Sequence, residues 1–280
     1  MTARIALATT VELPEPDADE SALIAQLPEA DRVAWDDPAV DWSAYGAVVL
    51  RSTWNYTAHL QDFHAWAARV DAVTVLANPL ATILWNTDKR YLRDLAARDI
   101  ATVPTTFVAP GESPADAPVT GAVVVKPAVG AGSAGARLFH DDPDGALAHV
   151  AALHEDGLVA MVQPYLEQVD TVGETAMIYL NGQFSHAARK AAILSKEQTN
   201  STGLFAEEEI SACTATDAER ELADRVVATM PGLTYARVDL LPTDNGPVVL
   251  ELELTEPSLF LDTDSEAPAR AAAAIRALLN

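Results

Sequence analysis

Chemistry in this chain would fall to two groups of residues and a few isolated cations. The first group is GAVVVKPAVGAGSAG, residues 121–135. An apolar run from Ala122 ends in Lys126. Pro127 stops it, and Gly130, Gly132, Ser133 and Gly135 follow. Glycines let backbone N–H groups turn inward toward one ligand, and such a nest beside a lysine binds anions. A nucleotide polyphosphate is the natural guest, although a glycine-rich hairpin with a surface lysine has the same letters. The second group is Asp239, Glu251 and Glu253. Asp244-Asn245-Gly246 makes a turn between two apolar runs, so 234–258 reads as strand, turn, strand. Glu251 and Glu253 lie two apart and share a face, with Asp239 across the hairpin. Carboxylates gathered in this way repel unless a cation joins them, and oxygen-only donors suit Mg²⁺ shared with phosphates. A solvent-facing strand in an acidic protein is the alternative.

The isolated cations carry information because the chain is so acidic: 41 Asp and Glu stand against 18 Lys and Arg, a formal net charge of −23. That balance disfavours nucleic acids and anionic membranes as partners. Lys89 is expected in the first turn of a helix within WNTDKRYLRDLAARDI (85–100), where the helix dipole disfavours it unless an anion is near. Arg51 opens RSTWNY at the end of a strand, where it could clamp a carboxylate or pair with a local acid. Hydrophobic residues make up 49% of the chain, enough for a core. No apolar run is long enough for a membrane span, and the N-terminus lacks the apolar region of a signal peptide. The single cysteine, Cys213, excludes an internal disulfide. A cytoplasmic protein is expected.

The elements that must position these groups alternate along the chain. Strands are expected at 3–9, 32–35, 47–50 and 73–76, with helices at 21–27 and 58–70, giving a small doubly wound domain. Phe63, Trp66, Ala67 and Val70 form a helical stripe that reads as core. Ala81, Leu84 and Trp85 are expected to close a short helix, and Asn86 or Thr87 to cap the next, whose apolar face is Tyr91, Leu92, Leu95 and Ala96. An extended stretch at 103–108 and the strand at 122–126 come next. A return strand at 137–139, a helix at 144–154 and a strand at 158–162 follow. The connector QPYLEQVDTVGE (163–174) could hydrogen-bond a purine edge, with an acid shortly after for the ribose hydroxyls. Glu174 opens a strand that turns at Asn181-Gly182 into a partner ending at Arg189. LSKEQTNSTGL (194–204) is expected to be a lid loop or irregular. Helices at 217–230 and 267–278 complete the chain.

The order of these pieces resembles the ATP-grasp superfamily of carboxylate–amine ligases. WNTDKRYL, VVVKPAVGAGSAG, QPYLE and RVDLL…LELE are similar to the branch related to glutathione synthetase. RSTWNY and LELTEPSLFL further resemble the O-ureido-serine cyclo-ligases of cycloserine biosynthesis. The resemblance implies an α/β fold, α+β in its lid: a pre-ATP-grasp domain at 1–86, a lid subdomain at 87–167, and a C-terminal subdomain with a metal site at 168–280. It implies that Lys89 and Lys126 contact the α- and β-phosphates, with Gly130, Gly132, Ser133 and Gly135 covering them. Gln163, Tyr165 and Leu166 would surround adenine, and Glu174, or less favourably Asp170, would hold the ribose. Asp239, Glu251 and Glu253 would hold one or two Mg²⁺ ions, with Mn²⁺ able to substitute. Many relatives carry Asn where Glu253 stands and Gly where Ser258 stands, which bears on metal number and pocket shape.

Arg237, with Lys126 and Arg189, would stabilise charge on the reacting groups. Arg51, Asn55, Arg189 and Ser258 are the candidate contacts to an amino-acid-like carboxylate substrate. The implied activity is ATP- and Mg²⁺-dependent, ADP-forming carbon–nitrogen ligation, in which O-ureido-D-serine closes to D-cycloserine through an acyl phosphate. An intermolecular amino-acid or dipeptide ligase shares every ATP-binding residue. A nucleotide-binding regulatory module shares the fold without the chemistry. A homo-oligomer is compatible with the resemblance.

Overall fold

The computed structural model describes residues 4–191 and 209–280. The 194–204 segment lies outside the described residues. Among those residues, strands form three sheets. The first is parallel in the order β2-β1-β3-β4, from β1 (Ile5–Thr9), β2 (Ala30–Ala34), β3 (Ala47–Leu50) and β4 (Val75–Ala77). Parallel sheets are covered on both faces, which explains the unbroken apolar runs of β1 and β3. Ile5, Leu7 and Val49 face α1 (Ala18–Gln26) and the C-terminal end of the chain. Ala6, Ala8, Val48 and Leu50 face α2 (Leu60–Asp71), where Phe63 and Trp66 pack with Trp35 and Tyr56. The aromatic stripe is core, as expected.

The short helix expected to close near Trp85 is present, and the one after it starts later than a cap at Asn86 or Thr87 would place it. α3 (Leu80–Asn86) ends before Lys89, and α4 (Tyr91–Ala96) starts after it. The Asp88 carboxylate accepts from the Arg90 N–H and guanidinium, which closes a local turn. The Lys89 N–H donates to Ala128 O at 2.8 Å, drawing the turn toward the glycine-rich loop. Asn86 does not cap a helix. Its side chain donates to Leu252 O and accepts from Leu254 N–H, both at 2.7 Å.

The second sheet is antiparallel in the order β5-β8-β6-β7, from β5 (Thr106–Val108), β6 (Ala122–Pro127), β7 (Arg137–His140) and β8 (Ala160–Pro164). Val123, Val125 and Val162 pack under α5 (Pro143–Glu155). Strand alternation therefore sends Val124, Lys126 and Gln163 to the other face. The connector after β8 contains a short helix, α6 (Gln168–Val172), rather than irregular chain throughout.

The third sheet has the order β11-β10-β9-β12-β13 and is antiparallel throughout. Its strands are β9 (Glu174–Leu180), β10 (Gln183–Lys190), β11 (Ile210–Cys213), β12 (Tyr235–Leu241) and β13 (Val248–Glu253). The sequence pattern did not reveal β11. One face of the sheet packs Met177, Tyr179, Val238, Leu240 and Leu252 against α7 (Asp217–Ala228). α7 opens with a reciprocal Thr216–Glu219 capping box. On the opposite face, Ala176, Ile178, Ala188 and Tyr235 meet the first sheet and α8 (Ala267–Arg276). Burying each leucine-sized side chain contributes roughly 1.5–3 kcal/mol, so these layers fix which face each strand turns inward. The apolar contacts cover only part of the second face. The uncovered end carries the polar residues.

Candidate active site

Register brings those polar residues together. Asp239 pairs with Glu251, Arg237 with Glu253, and Lys190 with Glu174. Period-two alternation places all six on one face. Opposite them stand Val124, Lys126 and Gln163 of the second sheet. A cavity of about 690 Å³ lies between the two sheets. It is lined by Lys89, Lys126, Gly130, Gly132, Ser133, Gln163, Tyr165, Leu166 and Glu174, and by Lys190, Arg237, Glu251, Glu253 and Ser258.

The charges in the cavity are paired with one another. The Lys190 ammonium is 3.0 Å from both Glu174 and Asp239 carboxylate oxygens. Arg237 binds Asp239 with two N–H groups, at 2.8 and 3.0 Å, and also donates to Glu253. Lys89 lies 3.0 Å from Glu251 and donates to Gly130 O at 2.5 Å. Burial opposes ionisation of Asp239, but Arg237 and Lys190 outweigh it and hold the pKa down to about 2. Burial likewise opposes the Lys89 charge, and Glu251 reverses it, raising the ammonium pKa. Glu253 is pushed up to about 7 by burial and by Glu251 and Asp239, against Arg237. Lys126 differs from the other cations. Burial lowers its pKa, and among the described residues its ammonium has no hydrogen bond or ion pair.

One end of the cavity is an apolar slot. Val103, Val169, Leu241 and Leu250 line it with Tyr165 and Leu166, and Gln163, also a lining residue, donates to Thr105 Oγ1 at 2.9 Å. The Tyr165 hydroxyl donates to Asp170. Such a slot, flanked by two sheets and leading to lysines, has the shape and polarity for a flat heteroaromatic ring joined to a polyphosphate. Gly132 and Ser133 both have positive φ, 57° and 60°, which turns their amides as a nest requires. Gly135 does not line the cavity; its carbonyl contacts His149 at 2.8 Å.

Three expected substrate contacts lie elsewhere. Asn55 is buried and satisfied by Trp35, Glu12 and Asp36. Arg189 points to the opposite face of β10 from Lys190, beside Glu219 and Cys213. Arg51 is 3% exposed and donates to Pro257 O at 2.7 Å, holding a cavity wall from behind. Ser258 does line the cavity. The sequence reading passed over Lys190, Trp54, Tyr56, Asp19 and Glu256, all of which line it. Parity could have found Lys190: it is the cation that faces Glu174 across the Asn181-Gly182 hairpin. The others sit on irregular backbone, where no period applies.

Among the described residues, no group of three or more His, Cys, Asp or Glu is already arranged as a metal cluster. The carboxylates are held by Lys89, Lys190 and Arg237 instead. The donor chemistry nevertheless fits a hard divalent cation: every donor is oxygen, and Glu251 and Glu253 line the cavity, with Asp239 paired to Glu251 in the ladder and buried against Lys190 and Arg237.

Comparisons with known proteins agree with this architecture. A family model described as the N-terminal domain of D-cycloserine synthetase DcsG matches residues 5–78. The cycloserine biosynthesis protein DcsG of Streptomyces lavendulae is 36% identical over 258 residues, covering 86% of each chain. A crystal structure of D-cycloserine synthetase DcsG superposes with a TM-score of 0.89 at 33% identity, covering 99% of each chain. A D-alanine–D-alanine ligase from Bacillus anthracis shares the fold alone, with a TM-score of 0.65 at 14% identity over 99% of this chain and 96% of that one. On these grounds the chain belongs to the DcsG family of ATP-grasp carboxylate–amine ligases.

Proposed function

We propose that the chain is an ADP-forming, ATP- and Mg²⁺-dependent ligase that cyclises O-ureido-D-serine to D-cycloserine. The observation that carries this reading is the cavity itself. It sets Lys89, Lys126, Lys190 and Arg237 against Glu174, Glu251 and Glu253, with Asp239 buried against Lys190 and Arg237, beside an apolar slot. Binding ATP exchanges the internal ion pairs for pairs with phosphate. Lys126, unpaired among the described residues, takes a phosphate at the lowest cost. Lys89 follows by leaving Glu251. Adenine occupies the slot by Gln163, Tyr165 and Leu166, and Glu174 takes the ribose. The loop from Gly130 to Gly135 covers the phosphates. Asp239, Glu251 and Glu253 hold Mg²⁺, which supplies charge neutralisation at the transferred phosphoryl group. These three carboxylates would hold one or two such ions, and Mn²⁺, with similar oxygen preference, would substitute.

The substrate carboxylate attacks the γ-phosphorus and expels ADP, giving an acyl phosphate. The oxyamino nitrogen of the same molecule then attacks the acyl carbon and expels phosphate, closing a five-membered ring. Water removes the ureido group as CO₂ and ammonia, so one water is consumed overall. Arg237 stabilises the charge that develops on the acyl oxygen. The chain's other task is to orient two ends of one molecule, and such orientation contributes several kcal/mol in favourable cases. We place domain boundaries near residues 86 and 167, a division supported by the passage from one sheet to the next between Ala77 and Thr106 and between Pro164 and Glu174. No helix among the described residues is long and apolar enough to cross a membrane, which accords with a cytoplasmic enzyme.

The test is ADP release with ATP, Mg²⁺ and each enantiomer of O-ureido-serine, with the ring followed by mass spectrometry. ADP and D-cycloserine formed together without an added amine are expected from the D-enantiomer alone. ADP formed only when a second amino acid is added would replace cyclisation with intermolecular ligation.

A further inference from the structure

The far end of the cavity from the adenine slot is built differently. It is lined by Tyr56 from the 3₁₀ turn Trp54–Ala58, and by Glu256, Ser258 and Phe260 after β13. Glu256 is only 8% exposed and has no ion pair among the described residues. The Tyr56 hydroxyl is its side-chain neighbour, and Tyr56 is 4% exposed. A carboxylate this buried is costly unless a cation meets it. The nearby cations are committed elsewhere: Arg237 to Asp239, Glu253 and Ser258 O, and Lys89 to Glu251 and Gly130 O. Like-charged Glu253 faces the same space. Besides the paired charges of the strands, the cavity thus holds a separate acidic position with no cation of its own among the described residues.

We propose that Glu256, with Tyr56 orienting its carboxylate, is the receptor for the α-ammonium group of the substrate. This rests on the reading of the cavity as the site of an amino-acid carboxylate ligase and adds the residue that selects amino acids over plain carboxylic acids. A zwitterion carries its ammonium one carbon from its carboxylate. Arg237, Glu253 and Glu256 line the same cavity, so one such molecule can meet both the guanidinium and the Glu256 carboxylate. Buried opposite charges that find each other only on binding give specificity, because a ligand lacking the ammonium leaves Glu256 desolvated and unpaired.

The test compares O-ureido-D-serine with its deamino analogue, 3-(ureidooxy)propanoate. Binding of each is measured by calorimetry to the full chain and to Glu256→Gln, both holding Mg²⁺ and a non-hydrolysable ATP analogue. ADP release with ATP is measured alongside. The unsubstituted chain is expected to prefer the amino compound by about 30-fold or more. Glu256→Gln should reduce that preference to within about 3-fold, with affinity for the ATP analogue unchanged, and Tyr56→Phe should give an intermediate loss. A preference that survives in Glu256→Gln, or that is absent from the unsubstituted chain, overturns the assignment. A preference lost in Glu256→Gln, but with no ADP from the unsubstituted chain, keeps the ammonium receptor and removes the ligase reading.

Discussion

The two ends of the cavity are stabilised in opposite ways. At the phosphate end, charged side chains stand on β9, β10, β12 and β13 and are placed by strand register. At the substrate end, the wall is the irregular segment 257–261, held by side chains reaching across the molecule to its backbone. Arg51 donates to Pro257 O, Arg237 to Ser258 O, and His186 contacts Leu259 O. Asp19 accepts the N–H groups of Leu259, Phe260 and Leu261. The contrast separates chemistry from shape. Charges on a regular sheet can exchange partners without moving the backbone. A loop held by four side chains keeps its form only while each remains.

That contrast can be broken from either end. The largest effect is expected from Asp239→Asn combined with Glu251→Gln, which should lower ADP formation by more than about 10⁴-fold and abolish its Mg²⁺ dependence. Normal Mg²⁺-dependent turnover in this variant would remove the metal from the β12–β13 hairpin. Lys126→Ala should cost about 10³-fold in turnover. Its denaturation midpoint should stay unchanged or rise, since a buried ammonium without a partner is removed. A large fall in stability instead would mean that Lys126 is structural. Arg51→Ala should reverse that pattern. It leaves Asp19 and Pro257 O without their cationic partner and should destabilise by about 3 kcal/mol in urea unfolding. Its KM for the amino-acid substrate should rise while that for ATP holds.

The smallest effect concerns pH. Burial, with Glu253 alongside, pushes the Glu256 pKa up to about 8 from an ordinary 4.5. In the folded chain the carboxyl keeps its proton to a higher pH than in the unfolded chain. Its contribution is therefore full below about pH 4.5 and is lost as pH rises through about 8. Thermal melts without ligand should show Glu256→Gln gaining stability relative to the unsubstituted chain from pH 6 to 9. A constant difference across that range would contradict the burial of this group.

The same contrast governs what could be read from sequence. Periodicity located β3 to the residue, and most other elements to within two or three. Parity along β12 and β13 placed Asp239, Glu251 and Glu253 on one face before any coordinates existed. The Arg189 reading went astray by one position. Strand alternation turns Lys190 inward and Arg189 toward α7, and the neighbouring 194–204 stretch gave no phase from which to count. Asn55 and Arg51 were selected for standing at the end of β3, but their partners, Asp36 and Pro257, are set by tertiary packing. Glu256 and Asp19 carry no local signal, because Tyr56 and Lys89 beside the one, and the backbone of Leu259 to Leu261 bound by the other, come from distant parts of the chain. The helix expected after a cap at Asn86 or Thr87 starts only at Tyr91 for a local reason: Asp88 closes a turn on Arg90 first.

The central claim is that this cavity transfers a phosphoryl group to the substrate's own carboxylate. O-ureido-D-serine labelled with ¹⁸O in both carboxylate oxygens tests it directly. After turnover with ATP and Mg²⁺, each inorganic phosphate should carry one ¹⁸O and the ring carbonyl should retain the other. Unlabelled phosphate would mean that the carboxylate never met the γ-phosphorus and would contradict the account.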